Sequence, residues 1–105
     1  MFQKYPGIFL KELFRIEKFS VAWVSMQPGT TYPLHMHKVS AERYILLAGK
    51  VQLTLGERQL SLSGGSHVRI PPQTPHSVKN TGNRKLIFLT TSAPAFQDAD
   101  TVSLH

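Results

Sequence analysis

Short apolar segments that end at glycine or proline follow one another along most of this chain. Turn signals such as Pro28-Gly29, Gly49 and Gly56-Glu57 separate these segments, at the spacing of about eight to twelve residues that is typical of all-β folds. Between two of these turns, Lys50–Leu55 alternates apolar and polar residues with the period of a half-buried strand. No segment after Phe19 keeps a helical period over three turns. The pattern predicts an all-β antiparallel sandwich or barrel.

The predicted strands are Ser20–Gln27, Glu42–Ala48, Lys50–Leu55, Arg58–Leu62, His67–Ile70, His76–Asn80 and Lys85–Thr91. The pattern of Lys11–Lys18 fits a short helix and an opening strand equally well. No long linker, internal repeat or low-complexity tract interrupts the chain. We therefore expect one domain over residues 1–105.

Composition excludes several classes of protein. The 105 residues include no cysteine, so a disulfide framework and a thiolate metal site are both impossible. No apolar run approaches the roughly 18 residues of a membrane helix. The first residues contain only the short apolar run Gly7–Leu10, which is too short for a secretory signal. A cytoplasmic protein without a membrane partner is the expectation.

The net charge of +6 also bears on possible partners. Apart from the adjacent Arg84 and Lys85, the basic residues between Lys18 and Gln97 stand singly, with no Lys/Arg run of the kind that marks a nucleic-acid patch. We expect no nucleic-acid partner. The charge fits a solvated basic surface, or a field that attracts a small anionic ligand.

Three histidines and one glutamate stand out as a possible metal site. His35 and His37 lie two residues apart, so in a strand both rings point to the same face. Glu42 follows after a short turn, and His76 opens a later strand behind a proline-rich turn. Three imidazoles and a carboxylate suit a divalent transition metal, namely Fe, Mn, Ni, Cu or Zn, and the sequence does not rank these metals.

The spacing around these residues resembles the two motifs of the cupin family. The first motif, G-x5-H-x-H-x3,4-E-x6-G, is matched by Gly29, His35, His37, Glu42 and Gly49. The second, G-x5-P-x-G-x2-H-x3-N, is matched by Gly65, Pro71, His76 and Asn80, whereas Gln73 replaces its internal glycine. The motif core thus runs over residues 29–80. A non-glycine residue at position 73 must avoid a positive φ or adopt it at an energetic cost.

The resemblance implies a jelly-roll barrel, the double-stranded β-helix, with a metal ion inside one end. It implies that His35, His37, Glu42 and His76 hold that ion. It implies no particular reaction, because one fold hosts many activities. The remaining histidines lie outside the motifs, and we expect His67 to face outward because its neighbours Val68 and Ile70 are apolar.

Side-chain parity predicts two further features. Tyr44 shares parity with Glu42, so its ring is expected to line the same cavity, whereas Trp23 is expected in the core. The run Tyr44–Ala48 is apolar on both faces, which is typical of a strand covered on both sides. A partner chain would cover the second face of this strand, and we expect a homodimer.

Two functional classes remain open from the sequence. In the first, a small metalloenzyme, a metal at the predicted site binds a substrate or dioxygen at its open positions. In the second, the same pocket holds a sugar, a sugar acid or another metabolite without turnover, as a binding or sensor module. The sequence identifies no catalytic acid or base beyond the possible pocket residue Tyr44.

Overall fold

The computed structural model describes all 105 residues as eleven strands and one short 3₁₀ turn. No helix is long and apolar enough to cross a membrane. The strands are β1 (Phe2–Tyr5), β2 (Ile8–Ile16), β3 (Phe19–Met26), β4 (Thr31–His37), β5 (Ala41–Ala48), β6 (Lys50–Leu55), β7 (Arg58–Ser63), β8 (His67–Ile70), β9 (His76–Asn80), β10 (Leu86–Ala93) and β11 (Thr101–Ser103), with the 3₁₀ turn at Asp98–Asp100.

Two antiparallel sheets face each other. The six-stranded sheet has the order β1-β2-β3-β10-β5-β8, and the five-stranded sheet has the order β11-β4-β9-β6-β7. Consecutive strands β4 and β5 belong to different sheets, as do β7 and β8. The chain therefore crosses repeatedly between the sheets, as in a double-stranded β-helix. The predicted fold class is confirmed.

The core fills the space between the inner faces of the sheets. On β6, Val51 and Leu53 are buried and Leu55 is half-buried, whereas Gln52 and Thr54 between them face outward. The alternation that marked this strand in the sequence therefore reports its orientation correctly. The buried apolar cluster comprises Ile8, Val24, Met26, Tyr44, Leu46, Val51, Leu53, Ile70, Val78, Leu86 and Phe88.

The N-terminal segment whose pattern fitted both a helix and a strand is a strand in the structure. Residues Ile8–Ile16 form β2, which pairs with β3 through a β-bulge between Glu12 and Phe14. The bulge breaks the alternation of this segment, because one extra residue shifts the facing of the following side chains. A disturbed period of two is easily mistaken for a short helix.

The placement of Trp23 corrects one prediction. Trp23 pairs with Lys11 and with Leu89, and its ring lies half-buried on the outer face of the six-stranded sheet. The inner positions beside it are taken by Ala22 and Val24. Both faces of β3 carry apolar residues, so alternation alone did not reveal which face is inside.

The outer faces of the two sheets differ in character. On the six-stranded sheet, Trp23, Leu89 and Ile45 stand side by side, with Phe9 and Ile87 in the next row. On the five-stranded sheet, β4 and β11 place Met36 and Val102 outward, but the outward positions of β6, β7 and β9 are polar. These positions are occupied by Gln52, Thr54, Gln59, Ser61, Ser77 and Lys79. We call Phe9, Trp23, Ile45, Ile87 and Leu89 the outer apolar face.

Candidate metal centre

The fold brings the four predicted site residues together from both sheets. His35 and His37 point inward from β4, and His35 lies opposite His76 of β9 in the strand register. Glu42 is on β5 of the other sheet and approaches the histidines across the interior. All four side chains are buried. His35 and His37, which lie on the same face of β4 as their spacing predicts, thus form one side of the site, and Glu42 faces them from the other sheet.

The polar atoms of this cluster converge on one another. One ligand atom from each of the four residues can be chosen so that all four lie within 4.8 Å of one another. Glu42 Oε1 is 2.8 Å from His37 Nε2 and 3.2 Å from His76 Nε2. These three buried atoms nevertheless lack a partner with hydrogen-bond geometry. Buried polar atoms without partners are costly, and a bound cation would satisfy all three, so the donor set fits a metal ion.

Hydrogen bonds at Nδ1 set the tautomers of two histidines. His35 Nδ1 is 2.8 Å from the Pro33 carbonyl oxygen, and His76 Nδ1 is 2.9 Å from that of Thr74. Because a carbonyl only accepts, the proton of each neutral ring sits on Nδ1. The lone pair is then on Nε2, the atom that faces the cluster from His76, in the arrangement typical of metal-binding histidines.

Thr101 has the same role for the third histidine. Its hydroxyl lies 3.2 Å from His37 Nδ1 and donates to the Gln97 carbonyl oxygen at 3.4 Å. The hydroxyl oxygen therefore accepts from His37 Nδ1, which leaves His37 Nε2 free. Thr101 opens β11, a three-residue strand that sequence reasoning missed.

Two hydroxyls orient the carboxylate. Thr90 and Ser92 of β10 donate to Glu42 Oε2 at 3.2 and 3.4 Å. Oε1 is thereby directed toward the histidines. Both hydroxyls were missed at the sequence level, because Thr90 lies near the end of the predicted strand Lys85–Thr91 and Ser92 lies beyond it.

The electrostatics favour the charge states that a metal requires. Burial and the neighbouring His76 lower the pKa of His35 to about 4, so this ring is neutral at neutral pH. Burial opposes ionisation of Glu42, but the adjacent His37 and His76 outweigh it and lower the pKa of Glu42 to about 2. An uncharged imidazole and an ionised carboxylate are the ligand forms of these side chains.

The loop that joins His37 to Glu42 is held from two sides. Asp100 accepts hydrogen bonds from the backbone N–H groups of Val39 and Ser40 at 2.9 and 3.0 Å. Although burial acts in the opposite direction, these N–H groups lower the pKa of the Asp100 carboxyl. On the other side, the backbone N–H of Gln73 donates to the His37 carbonyl at 2.6 Å.

Gln73 adopts the backbone conformation that its position demands. Its φ is +59°, and it is the one non-glycine residue with a positive φ. Gln73 thus has a left-handed backbone conformation, which glycine adopts more readily. The cost of the left-handed conformation is on the order of 1–2 kcal/mol for a residue with a Cβ.

A cavity of about 690 Å³ opens beside the cluster. Tyr44 lines it as its parity predicts, with its ring centroid 6.0 Å from that of His76. Burial, together with the nearby Glu42, raises the pKa of the Tyr44 phenol. Tyr32 also lines the cavity, and its pKa is likewise raised, first by burial and then by Tyr5 and Glu42. Both phenols are therefore protonated at neutral pH.

The two remaining histidines lie away from the cluster. His67 is exposed on β8, as its parity predicts, with its Nδ1 3.0 Å from Arg43 Nη1. His105 is exposed at the chain end, where its ring lies edge-on to Tyr5. Neither ring belongs to the cluster of potential ligands.

Comparisons with known proteins agree with the motifs. The family model of the cupin domain matches residues 22–92. The uncharacterized protein MJ1618 of Methanocaldococcus jannaschii is 35% identical over 88 residues, which are 84% of this chain and 70% of that protein. Quercetin 2,3-dioxygenase of Bacillus subtilis is 42% identical over 67 residues, which are 63% of this chain but 20% of the dioxygenase.

The solved structure of TT1209 from Thermus thermophilus shares the architecture. It superposes with a TM-score of 0.81 at 25% identity, and the match covers 87% of each chain. The family match covers well over half of the sequence and includes all four residues of the cluster. This chain therefore belongs to the cupin domain family.

Proposed function

We propose that His35, His37, Glu42 and His76 hold a divalent transition metal, one of Fe, Mn, Ni, Cu or Zn. The observation that carries this proposal is the convergence of Glu42 Oε1 with the Nε2 atoms of His37 and His76, all buried and without hydrogen-bond partners. A bound ion would supply Lewis-acid or redox chemistry at the positions that the protein leaves open.

The protein is, on this proposal, a small metalloenzyme that acts on an oxygen-donor metabolite. Thr90 and Ser92 keep the Glu42 carboxylate oriented. The Tyr32 and Tyr44 phenols keep their protons at neutral pH and face the cavity, so they are placed to donate hydrogen bonds to a bound oxygen. The similarity to a dioxygenase supports an enzymatic role.

The ligand of this site is proposed to be an anion. A divalent ion with three neutral imidazoles and one carboxylate keeps a net charge of about +1. The chain adds a general positive field, with a net charge of +6. A carboxylate or enolate oxygen, which includes sugar-derived acids, is therefore favoured over a neutral or cationic group.

We also propose that two copies of this chain pair through the outer apolar face. Ile45, Trp23 and Leu89 form a continuous half-buried row there, whereas β6, β7 and β9 of the other sheet are polar outside. Leu47, next to this row, is 52% exposed. A second copy offers the same apolar surface, so one two-fold contact would cover both faces at once.

The metal proposal is tested by elemental analysis of the purified protein. We expect about one equivalent of a transition metal in the wild type, and loss of that metal in the double variant His35→Ala/His37→Ala. The matched control is His67→Ala, which removes an exposed imidazole outside the cluster and should retain the metal. A full equivalent in the double variant would place the site elsewhere.

Turnover is tested with the metal found in the purified protein. The reconstituted protein is screened with small carboxylates and enolisable acids, both with and without dioxygen. Metal-dependent product formation that the double variant lacks is the expected result. Tight binding of these compounds without any turnover would contradict the enzymatic part of the proposal.

A further inference from the structure

We propose that the cavity accepts a planar aromatic ring attached to the anionic group that reaches the metal. This inference rests on the proposed function and narrows it to a class of ligand, the aromatic carboxylates and related aromatic oxygen anions. The supporting observations are the aromatic side chains that line the cavity and the hydrogen bonds and ion pairs that its polar side chains make.

Each histidine of the cluster has its own aromatic neighbour. The ring centroid of Tyr32 is 5.1 Å from that of His35, and the corresponding distance from Tyr44 to His76 is 6.0 Å. Phe96 lies 6.1 Å from His37. All three aromatic rings also line the cavity. The part of the cavity next to the cluster is therefore bordered by aromatic rings contributed by both sheets and by the segment after β10.

Three further aromatic rings line the cavity. Tyr5 stands edge-on to Tyr32 at 5.3 Å, and Phe88 lies 4.9 Å from Tyr44. Phe2 lines the outer part and is 56% exposed. The cavity thus collects all three tyrosines and three of the six phenylalanines of the chain. Aromatic rings prefer offset or edge-on neighbours at these distances, so a planar ring finds suitable partners in the cavity.

The aliphatic hydroxyls in the lining are already engaged. Thr90 and Ser92 donate to Glu42, and Ser20 accepts from the Phe96 N–H. The Thr101 and Ser103 hydroxyls contact His37 and His105. A polyhydroxylated sugar needs many free partners, because each of its buried hydroxyls is costly when unpaired. Apart from the tyrosine phenols and the Gln97 side chain, the lining therefore has few uncharged polar groups left for a sugar, which favours an aromatic body.

The charged groups at the mouth are paired with each other. Arg15 Nε donates to Glu12 at 2.7 Å, and Lys4 lies 3.5 Å from Asp98. These four residues line the cavity, yet they leave no unpaired cation for a second anionic group. We infer a ligand with one anionic end, directed to the metal, and an apolar aromatic end toward the mouth. The volume of about 690 Å³ is within the range of small-molecule sites.

Three carboxylates on Co²⁺-loaded protein provide the test. Acetate carries the anionic group alone, benzoate adds a planar aromatic ring, and shikimate adds a polyhydroxylated, non-aromatic ring whose hydroxyls are too far from its carboxylate to chelate the same metal. Binding at the metal is followed through the visible absorption of Co²⁺. We expect benzoate to bind at least tenfold more tightly than acetate, about 1.4 kcal/mol, with shikimate no tighter than acetate. Benzoate is the weaker base, so its carboxylate alone does not explain such a preference.

Variants of Phe96 test whether the aromatic lining causes the preference for benzoate over acetate. Phe96→Ala should lower the affinity for benzoate about fivefold or more and leave that for acetate within twofold, and Phe96→Tyr should restore benzoate binding. The control Phe14→Ala removes an exposed ring that does not line the cavity and should change neither affinity.

The outcomes separate the two proposals. Equal affinities for acetate and benzoate, or tighter binding of shikimate than of benzoate, would overturn the aromatic inference and leave the anion-binding metal site in place. Failure of Phe96→Ala to weaken benzoate would also overturn it. No spectral response to any of the three carboxylates would contradict the anionic ligand itself, and no uptake of Co²⁺ would contradict the metal site.

Discussion

The Thr90 hydroxyl donates a hydrogen bond of 3.2 Å to Glu42 Oε2, from β10 to the adjacent strand β5. The bond fixes which oxygen of Glu42 turns away from the histidines. Oε1 is left 2.8 Å from His37 Nε2 with no hydrogen-bond partner. A hydroxyl outside the cluster thus defines the orientation of the one anionic member of the cluster.

Removal of this hydroxyl should weaken metal binding while the ligands stay in place. We predict that Thr90→Val lowers metal affinity about tenfold, the lower end of the range for lost outer partners of metal ligands. Competition with a chromophoric chelator measures the change. Thr91→Val, on the outward-facing neighbour, is the control and should bind as the wild type does. Unchanged affinity in Thr90→Val would show that Glu42 needs no support from β10.

The metal-free protein should lose stability as the pH falls from 7 to 5. Burial and the nearby His76 lower the pKa of His35 from 6.5 to about 4. Below pH 6.5 the unfolded chain takes up a proton at this histidine that the folded protein excludes, so acid favours unfolding. The loss by pH 5 should be at most about 2 kcal/mol.

Urea unfolding of the chelator-treated protein at several pH values measures this loss. The contribution should vanish in His35→Phe and persist in His67→Ala. A free energy of unfolding that is flat between pH 7 and pH 5 would contradict the buried, neutral state of His35.

Restoring the motif glycine at position 73 should not harm the fold. Gln73 has a φ of +59°, a conformation that costs a residue with a Cβ on the order of 1–2 kcal/mol. Glycine removes this strain but has more freedom in the unfolded chain, so Gln73→Gly should stabilise the protein by about 0.5 kcal/mol. Gln73→Val, which is β-branched, should destabilise it by more than about 1 kcal/mol. Thermal unfolding ranks the three proteins, and a Gln73→Gly variant less stable than Gln73→Val would refute this assignment of strain.

The outer apolar face should govern the oligomeric state. We predict that the wild type is a dimer and that Leu89→Arg, in the middle of that face, is a monomer because it buries an unpaired charge at the contact. Gln52→Arg, on the polar outer face of the other sheet, should remain dimeric. Size-exclusion chromatography with light scattering gives the masses. A monomeric wild type would contradict the proposed dimer.

The sequence revealed the parts of this molecule that depend on local pattern. The alternation in Lys50–Leu55 and the His35-Met36-His37 spacing each report side-chain facing within one strand, and the structure agrees with both. Strand β11 escaped notice because three residues are too few to show a period, and the four-residue β1 was also missed. Trp23 was misplaced because both faces of its strand are apolar.

The positions of the residues around the cluster could not be predicted from the patterns of single strands. Thr101, Thr90 and Phe96 reach the cluster through pairing between distant strands, or from the segment between β10 and β11. Their positions follow from the order and register of the strands, which single-strand patterns do not contain. Only Tyr44, which shares a strand with Glu42, could be placed by parity.

Anomalous diffraction at the absorption edge of the bound metal tests the metal site most directly. We expect one strong peak inside the barrel, within about 2.0–2.2 Å of one nitrogen from each of His35, His37 and His76 and of a Glu42 oxygen, if the ion is zinc. A sole peak on the surface, or an occupied site that lacks Glu42 and two of the histidines, would contradict it.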